Sequence, residues 1–121
     1  KRFVTQLVDG INKVRTINMN SQISKAVSYI LKNYGKDITL EDVAKEVSLS
    51  PYYLSKLFKQ ETGENFIEYL TNHRMAVALE LVKGKNLSIK DIAYKIGYND
   101  PNYFSKLFKK YYGISPSEYE E

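Results

Sequence analysis

The chain has 121 residues, 43% hydrophobic and 26% charged, the balance of a folded globular protein rather than of a disordered one. It has no cysteine and one histidine, which excludes disulfides, thiolate metal sites, cysteine nucleophiles and multi-histidine metal centres. The net charge of +4 permits an acidic partner, but residues 1–39 hold seven Lys/Arg against two Asp and residues 40–69 three Lys against six Asp/Glu, so a polyanion must be met by particular faces.

The chain begins at Lys1 without Met and is expected to be a piece of something longer. Residues 1–20 place Phe3, Leu7, Ile11, Val14 and Ile17 at helical spacing, interrupted by Gly10. They read as an interdomain linker or as the end of a signalling helix. A first secure helix is predicted over residues 21–34, capped by Ser21, with Ile23, Ala26, Val27, Ile30, Leu31 and Tyr34 on one face and Gly35 as its left-handed stop. Thr39, three residues before Asp42, starts a short helix with Leu40, Val43, Ala44 and Val47 on its apolar face. Ser50 caps the next helix and Pro51 opens it; Gly63 ends it. A longer helix is predicted from Asn65 to Lys83, ending at Gly84. Ser88 caps another short one, with Ile89, Ile92, Ala93 and Ile96 facing in and Gly97 as its stop. Pro101 opens a helix that runs to Gly113, and Ser115-Pro116 starts a last turn holding Tyr119. No segment alternates over a strand length, so the fold class is all-α. The longest apolar stretch, Ala76 to Val82, is interrupted by Glu80 and falls far short of the roughly 20 residues of a membrane helix. The chain shows no signal-peptide pattern, and the expected location is cytoplasmic.

An internal repeat carries the functional signal. Leu40–Tyr69 aligns with Ile89–Tyr119 when Asp100 is left as a one-residue insertion. Asp42 then matches Asp91, Ala44 matches Ala93, and Pro51 matches Pro101. Ser55-Lys56-Leu57-Phe58-Lys59 recurs as Ser105-Lys106-Leu107-Phe108-Lys109, and Gly63 and Glu68-Tyr69 recur as Gly113 and Glu118-Tyr119. Each copy is a short helix, a tight turn and a second helix, the order of a helix-turn-helix. The small Ala44 and Ala93 suit a close helix crossing. Gly97 suits the sharp turn, and Ser48 stands in the matching place.

On a helical wheel Leu54, Leu57 and Phe58 fall on one face of the first copy's second helix, and Tyr52, Ser55, Lys56 and Lys59 on the other. In the second copy Phe104, Leu107, Phe108 and Tyr111 face in. Asn102, Ser105, Lys106 and Lys109 face out, with Tyr103 on the flank. The outward set has the chemistry of a groove reader: Asn pairs with adenine, Lys reaches guanine acceptors, and Ser or Tyr hydroxyls serve base or phosphate. Lys59 and Lys109, further along, suit phosphate. The helix from Asn65 to Lys83 would be about 28 Å long at 1.5 Å per residue, close to the roughly 34 Å between successive major grooves. Two recognition helices in successive grooves of one duplex are therefore expected. Arg74 on that helix suits either a phosphate contact or a brace. His73 is expected to be a surface or half-buried polar residue.

These residues resemble the DNA-binding domain of the AraC/XylS family. The likeness runs through Leu54-Ser55-Lys56-Leu57-Phe58-Lys59, Glu61-Thr62-Gly63, the Arg74-to-Leu81 helix, Ile92-Ala93, Gly97-Tyr98, Tyr103-Phe104-Ser105-Lys106-Leu107-Phe108-Lys109 and Gly113-Ile114-Ser115-Pro116 with Tyr119. It covers about residues 21–119. It implies about seven helices in two helix-turn-helix units, about 39–62 and 88–112, joined by a linker helix over 65–83. It implies a bacterial transcription regulator, usually an activator, that is the output domain of a sensor or response regulator. The expected partners are double-stranded DNA and RNA polymerase, and no membrane, cofactor or metal is expected. The family's contacting residues fall on Tyr52, Ser55 and Lys56 and on Asn102, Tyr103, Ser105 and Lys106. The isolated chain is expected to be monomeric, with dimerisation left to the full-length protein. Lys56 and Lys106 stand where relatives often carry Arg, and Lys lacks the planar two-point contact. Ser48 stands where the first turn often has Gly, and Glu120-Glu121 where an Arg commonly follows.

Enzymatic chemistry is not expected: there is no Gly-rich phosphate loop, and the single His has no evident nucleophile beside it. The rival to DNA binding is a helical protein–protein module with a basic face.

Overall fold

The computed structural model describes residues 20–119. The expectations for residues 1–19, and for Glu120-Glu121, lie outside the described residues. Among those described are seven helices and no strand: α1 (Ser21–Asn33), α2 (Leu40–Val47), α3 (Pro51–Thr62), α4 (Phe66–Gly84), α5 (Ile89–Lys95), α6 (Pro101–Tyr112) and α7 (Pro116–Tyr119). They fall into two compact units. One holds α1 up to Lys32 and residues 38–68, hence α2, α3 and the first turn of α4; the other holds residues 33–37 and 69–119.

In the first unit the buried apolar residues are Ile23, Ala26 and Ile30 of α1, Ile38, then Val43, Ala44 and Val47 of α2, Leu54 and Phe58 of α3, and Phe66. Thr39 and Asp42 form a reciprocal capping box on α2: Asp42 N–H donates to Thr39 Oγ1 at 3.1 Å, and Thr39 N–H to Asp42 Oδ2 at 2.9 Å. Ser50 Oγ accepts from Tyr53 N–H at 3.1 Å and starts α3 ahead of Pro51. Helices α2 and α3 pack on each other. The turn between them is made by Ser48, whose φ of 60° is left-handed. Leu49 N–H closes the turn on the Ala44 carbonyl at 3.0 Å.

The second unit repeats the plan. Ser88 Oγ accepts from Asp91 N–H at 3.0 Å, and Tyr98 N–H donates to the Ala93 carbonyl at 2.9 Å. Its core joins Met75, Ala78, Leu79 and Val82 of α4 to Ile92, Ala93, Ile96, Phe104 and Phe108, with Tyr34, Tyr98, Tyr111, Tyr112 and Tyr119 packed against it. After each second helix a left-handed glycine (Gly63, φ 84°; Gly113, φ 87°) leads into a capping box. In the first, Asn65 and Glu68 each accept from the other's backbone N–H; in the second, Ser115 and Glu118 do the same.

Several local expectations are corrected. The cap of α1 is Asn20, not Ser21: Asn20 Oδ1 accepts from Gln22 N–H at 2.8 Å. Leu31 is 41% exposed, because it lies about 100° round the helix from Ile30, past the edge of the buried stripe. Gly35 is not a left-handed stop; a Cβ there would lie 2.7 Å from the Lys95 carbonyl oxygen, so its smallness serves a close backbone approach. The long helix includes Gly84, and the left-handed residue after it is Lys85, with φ 58°. Asn65 caps that helix rather than opening it. Asp100 is no insertion: it caps α6 through Asn102 N–H at 3.0 Å, as Ser50 caps α3, and the extra residue is Asn99.

Candidate nucleic-acid interface

Helix α3 turns Leu54 and Phe58 into the first unit, and α6 turns Phe104 and Phe108 into the second. This anchoring decides which side chains are left outside. In α3, Tyr52 is 78% exposed, and Lys56 and Lys59 are also exposed. In α6, Asn102, Tyr103, Lys106 and Lys109 are exposed. The five-residue repeat has one burial pattern in both copies: a half-buried Ser, an exposed Lys, a half-buried Leu, a buried Phe and an exposed Lys.

Ser55 and Ser105 therefore do not lie on the fully outward face where the wheel puts them. Each directly follows a buried residue, Leu54 or Phe104, and sits at the margin between core and solvent. Ser55 lines an open groove of about 500 Å³ with Ile38, Thr39, Leu40, Glu41, Asn65, Phe66 and Ile67. The predicted inward residues Leu57, Leu107 and Tyr111 are half-buried, and the Tyr111 hydroxyl donates to Asn72 Oδ1 at 2.6 Å.

Among the exposed side chains on these helices that escape the sequence reading are Tyr53 and Lys110. Tyr53 is 49% exposed and matches Tyr103 in the repeat alignment, a signal that was available. Lys110 is exposed directly after Lys109 and matches Gln60, so repetition could not single it out.

The two roles open for Arg74 are decided by its burial. It is 8% exposed. Its Nε donates to the Tyr34 carbonyl and its Nη2 to the Lys36 carbonyl, both at 2.8 Å. It is a brace, holding residues 34–36 within the second unit. His73 is half-buried, with its ring edge-on to Tyr34 at 4.7 Å. Among the described residues no group of three or more His, Asp or Glu could hold a metal. No described helix is long and apolar enough to cross a membrane.

The geometry presents two short, cation-bearing helix faces of matching chemistry, each backed by a buried apolar anchor. A model of a helix-turn-helix domain matches residues 43–121. The lactose operon transcription activator of Staphylococcus xylosus is 46% identical over 101 residues, covering 84% of this chain and 36% of that protein. The regulatory protein PocR of Salmonella typhimurium is 40% identical over 102 residues, covering 84% of this chain and 34% of that protein. The chain thus spans about a third of the length of these curated relatives. Among solved structures, the C-terminal domain of AraT, a response regulator from Geobacillus stearothermophilus, superposes with a TM-score of 0.81 at 43% identity, covering 84% of this chain and 85% of that one. The DNA-binding domain of AdpA, solved with a target DNA, shares the fold at 21% identity with a TM-score of 0.76, covering 81% of this chain and 88% of that one.

Proposed function

Because the chain belongs to the AraC/XylS family as its DNA-binding domain, we propose that it reads one DNA duplex with both repeats, α3 and α6 entering successive major grooves. The duplicated face carries this reading: a Lys exposed at the same place on both second helices, two residues ahead of the same buried Phe. In it Lys56 and Lys106 reach base acceptors, while Lys59 and Lys109 meet phosphate. Asn102 suits adenine, and the Tyr52 and Tyr103 hydroxyls suit base or phosphate. Ser55 and Ser105 act from the margin of each face.

Residues 21–119 form the domain in this reading, with residues 1–20 as its connection to the rest of a longer regulator. The AraT likeness supports an output domain of a response regulator. The name of the Staphylococcus xylosus relative supports activation, with RNA polymerase as the further partner. The setting is the cytoplasm, where duplex and polymerase meet. The isolated chain binds as a monomer, since it carries two recognition helices of its own.

The test is a gel-shift titration on a duplex that the chain itself selects from a random pool. Lys56→Ala and Lys106→Ala each weaken binding by about 1–3 kcal/mol if each contacts a base edge. Affinity falls steeply with salt in a groove binder through counterion release. Unchanged affinity in both variants, with little salt dependence, would remove the duplex reading and favour a protein-binding module.

A further inference from the structure

Arg74 is the only buried charged residue among those described, and it lies on α4 outside the repeated stretch. Its two donated bonds go to the backbone carbonyls of Tyr34 and Lys36, not to a carboxylate. They fix the plane of the guanidinium as well as its position, because two donors of one rigid fork are engaged. That plane lies over the Tyr98 ring, 5.0 Å from its centroid. Gly97 leaves the space: a Cβ there would stand 2.7 Å from Arg74 Nη2.

Tyr98 passes the constraint on. Its ring stacks on Phe104 at 6.3 Å and meets Tyr103 edge-on at 5.7 Å. Tyr103 is 53% exposed in the first turn of α6. A tyrosine so exposed would ordinarily sample several rotamers; the edge contact with Tyr98 favours the one that keeps the two rings together. We infer that Arg74 is a positioning residue for DNA recognition: it clamps Tyr98, and through Tyr98 it sets the direction of the Tyr103 hydroxyl. The inference rests on the proposal that Tyr103 touches the duplex. It takes Arg74 out of the set of phosphate ligands.

The test uses the whole 121-residue chain and two readouts. One is the NMR position of the Tyr103 ring signals without DNA, identified by their loss in Tyr103→Phe. The other is affinity for the selected duplex across a range of salt. Arg74→Met shifts the Tyr103 signals and weakens binding about three- to tenfold, the worth of one hydrogen bond, with no change in salt slope. Arg74→Lys behaves like Arg74→Met, since an ammonium keeps the charge but not the fork or the flat face. Adding Tyr103→Phe to Arg74→Met costs little more than either alone. If Arg74→Met does not fold, Tyr98→Leu breaks the same chain while sparing both Arg74 hydrogen bonds; its readout is affinity alone, expected to fall as in Arg74→Met and to fall little further when Tyr103→Phe is added.

Unmoved Tyr103 signals in Arg74→Met overturn the inference, whatever happens to binding, and so do fully additive losses from Tyr98→Leu and Tyr103→Phe. So does recovery of wild-type binding by Arg74→Lys, or a salt slope lower by about one contact, the mark of a lost phosphate ligand. Tyr103 signals that move while Tyr103→Phe binds as wild type overturn instead the Tyr103 contact on which the inference rests.

Discussion

In the first repeat the tight turn is made by Ser48 with φ 60°; in the second it is made by Gly97 with φ 107°. Both turns follow a short capped helix, and both close with the same kind of bond, on Ala44 and on Ala93. Their surroundings differ. Ser48 is exposed, and its side chain has open solvent to occupy. Gly97 is hemmed in: a Cβ there would also lie 3.0 Å from the Tyr34 carbonyl, beside the Arg74 guanidinium. The first turn thus tolerates a side chain at a conformational cost, whereas the second has no room for one. Identical local motifs have been built into one open and one filled setting, so the two repeats differ in what a mutation would cost.

The widest gap between them is expected at these turns. Gly97→Ala combines left-handed strain, about 1–2 kcal/mol, with displacement of Arg74 from its carbonyl partners, and is expected to destabilise by about 3 kcal/mol. Ser48→Gly relieves strain and is expected to stabilise by about 0.5–1 kcal/mol. Urea unfolding of the two variants checks both signs; equal and small effects would mean that the second turn is not filled as described.

The next difference lies in the caps of the first helices. Thr39 and Asp42 satisfy each other's backbone donors reciprocally, whereas Ser88 accepts from Asp91 N–H without the return bond. Thr39→Ala is expected to cost about 1–2 kcal/mol and Ser88→Ala about 0.5–1 kcal/mol. Thermal unfolding of the pair decides the order, and the reverse order would break the comparison.

The smallest effect concerns the capping boxes that follow the second helices. Two hydrogen bonds from Ser115 hold the Glu118 carboxylate below its usual pKa, with Lys109 adding a minor attraction. A carboxyl group with a lowered folded pKa contributes stability above its unfolded value, and that contribution is lost as pH falls through the folded value. Glu118→Gln is therefore expected to lower the melting temperature slightly at pH 7. The difference from wild type should close below about pH 4. A gap that stays constant with pH would assign the effect to packing instead of charge.

Much of the molecule follows from rules that act over three or four residues. Helix class, the caps at Thr39, Ser50 and Ser88, Pro51 and Pro101 at first helical positions, and the left-handed Gly63 and Gly113 depend only on local backbone donors and steric limits, so they are legible in the order of residues alone. The repeat added the candidate face, because a Ser-Lys pair recurring ahead of the same buried Phe marks one orientation twice. What lay beyond that reach belongs to the tertiary structure. Gly35 looks like a helix stop until the Lys95 carbonyl arrives beside it, sixty residues later. Ser55 and Ser105 count as outward on a wheel; how far the neighbouring chain covers each is not a property of the helix alone. Arg74 could have served phosphate or scaffold. Only folding brought the carbonyls of Tyr34 and Lys36 and the ring of Tyr98 around it, and a charged group taken from water needs such partners before it can stay buried.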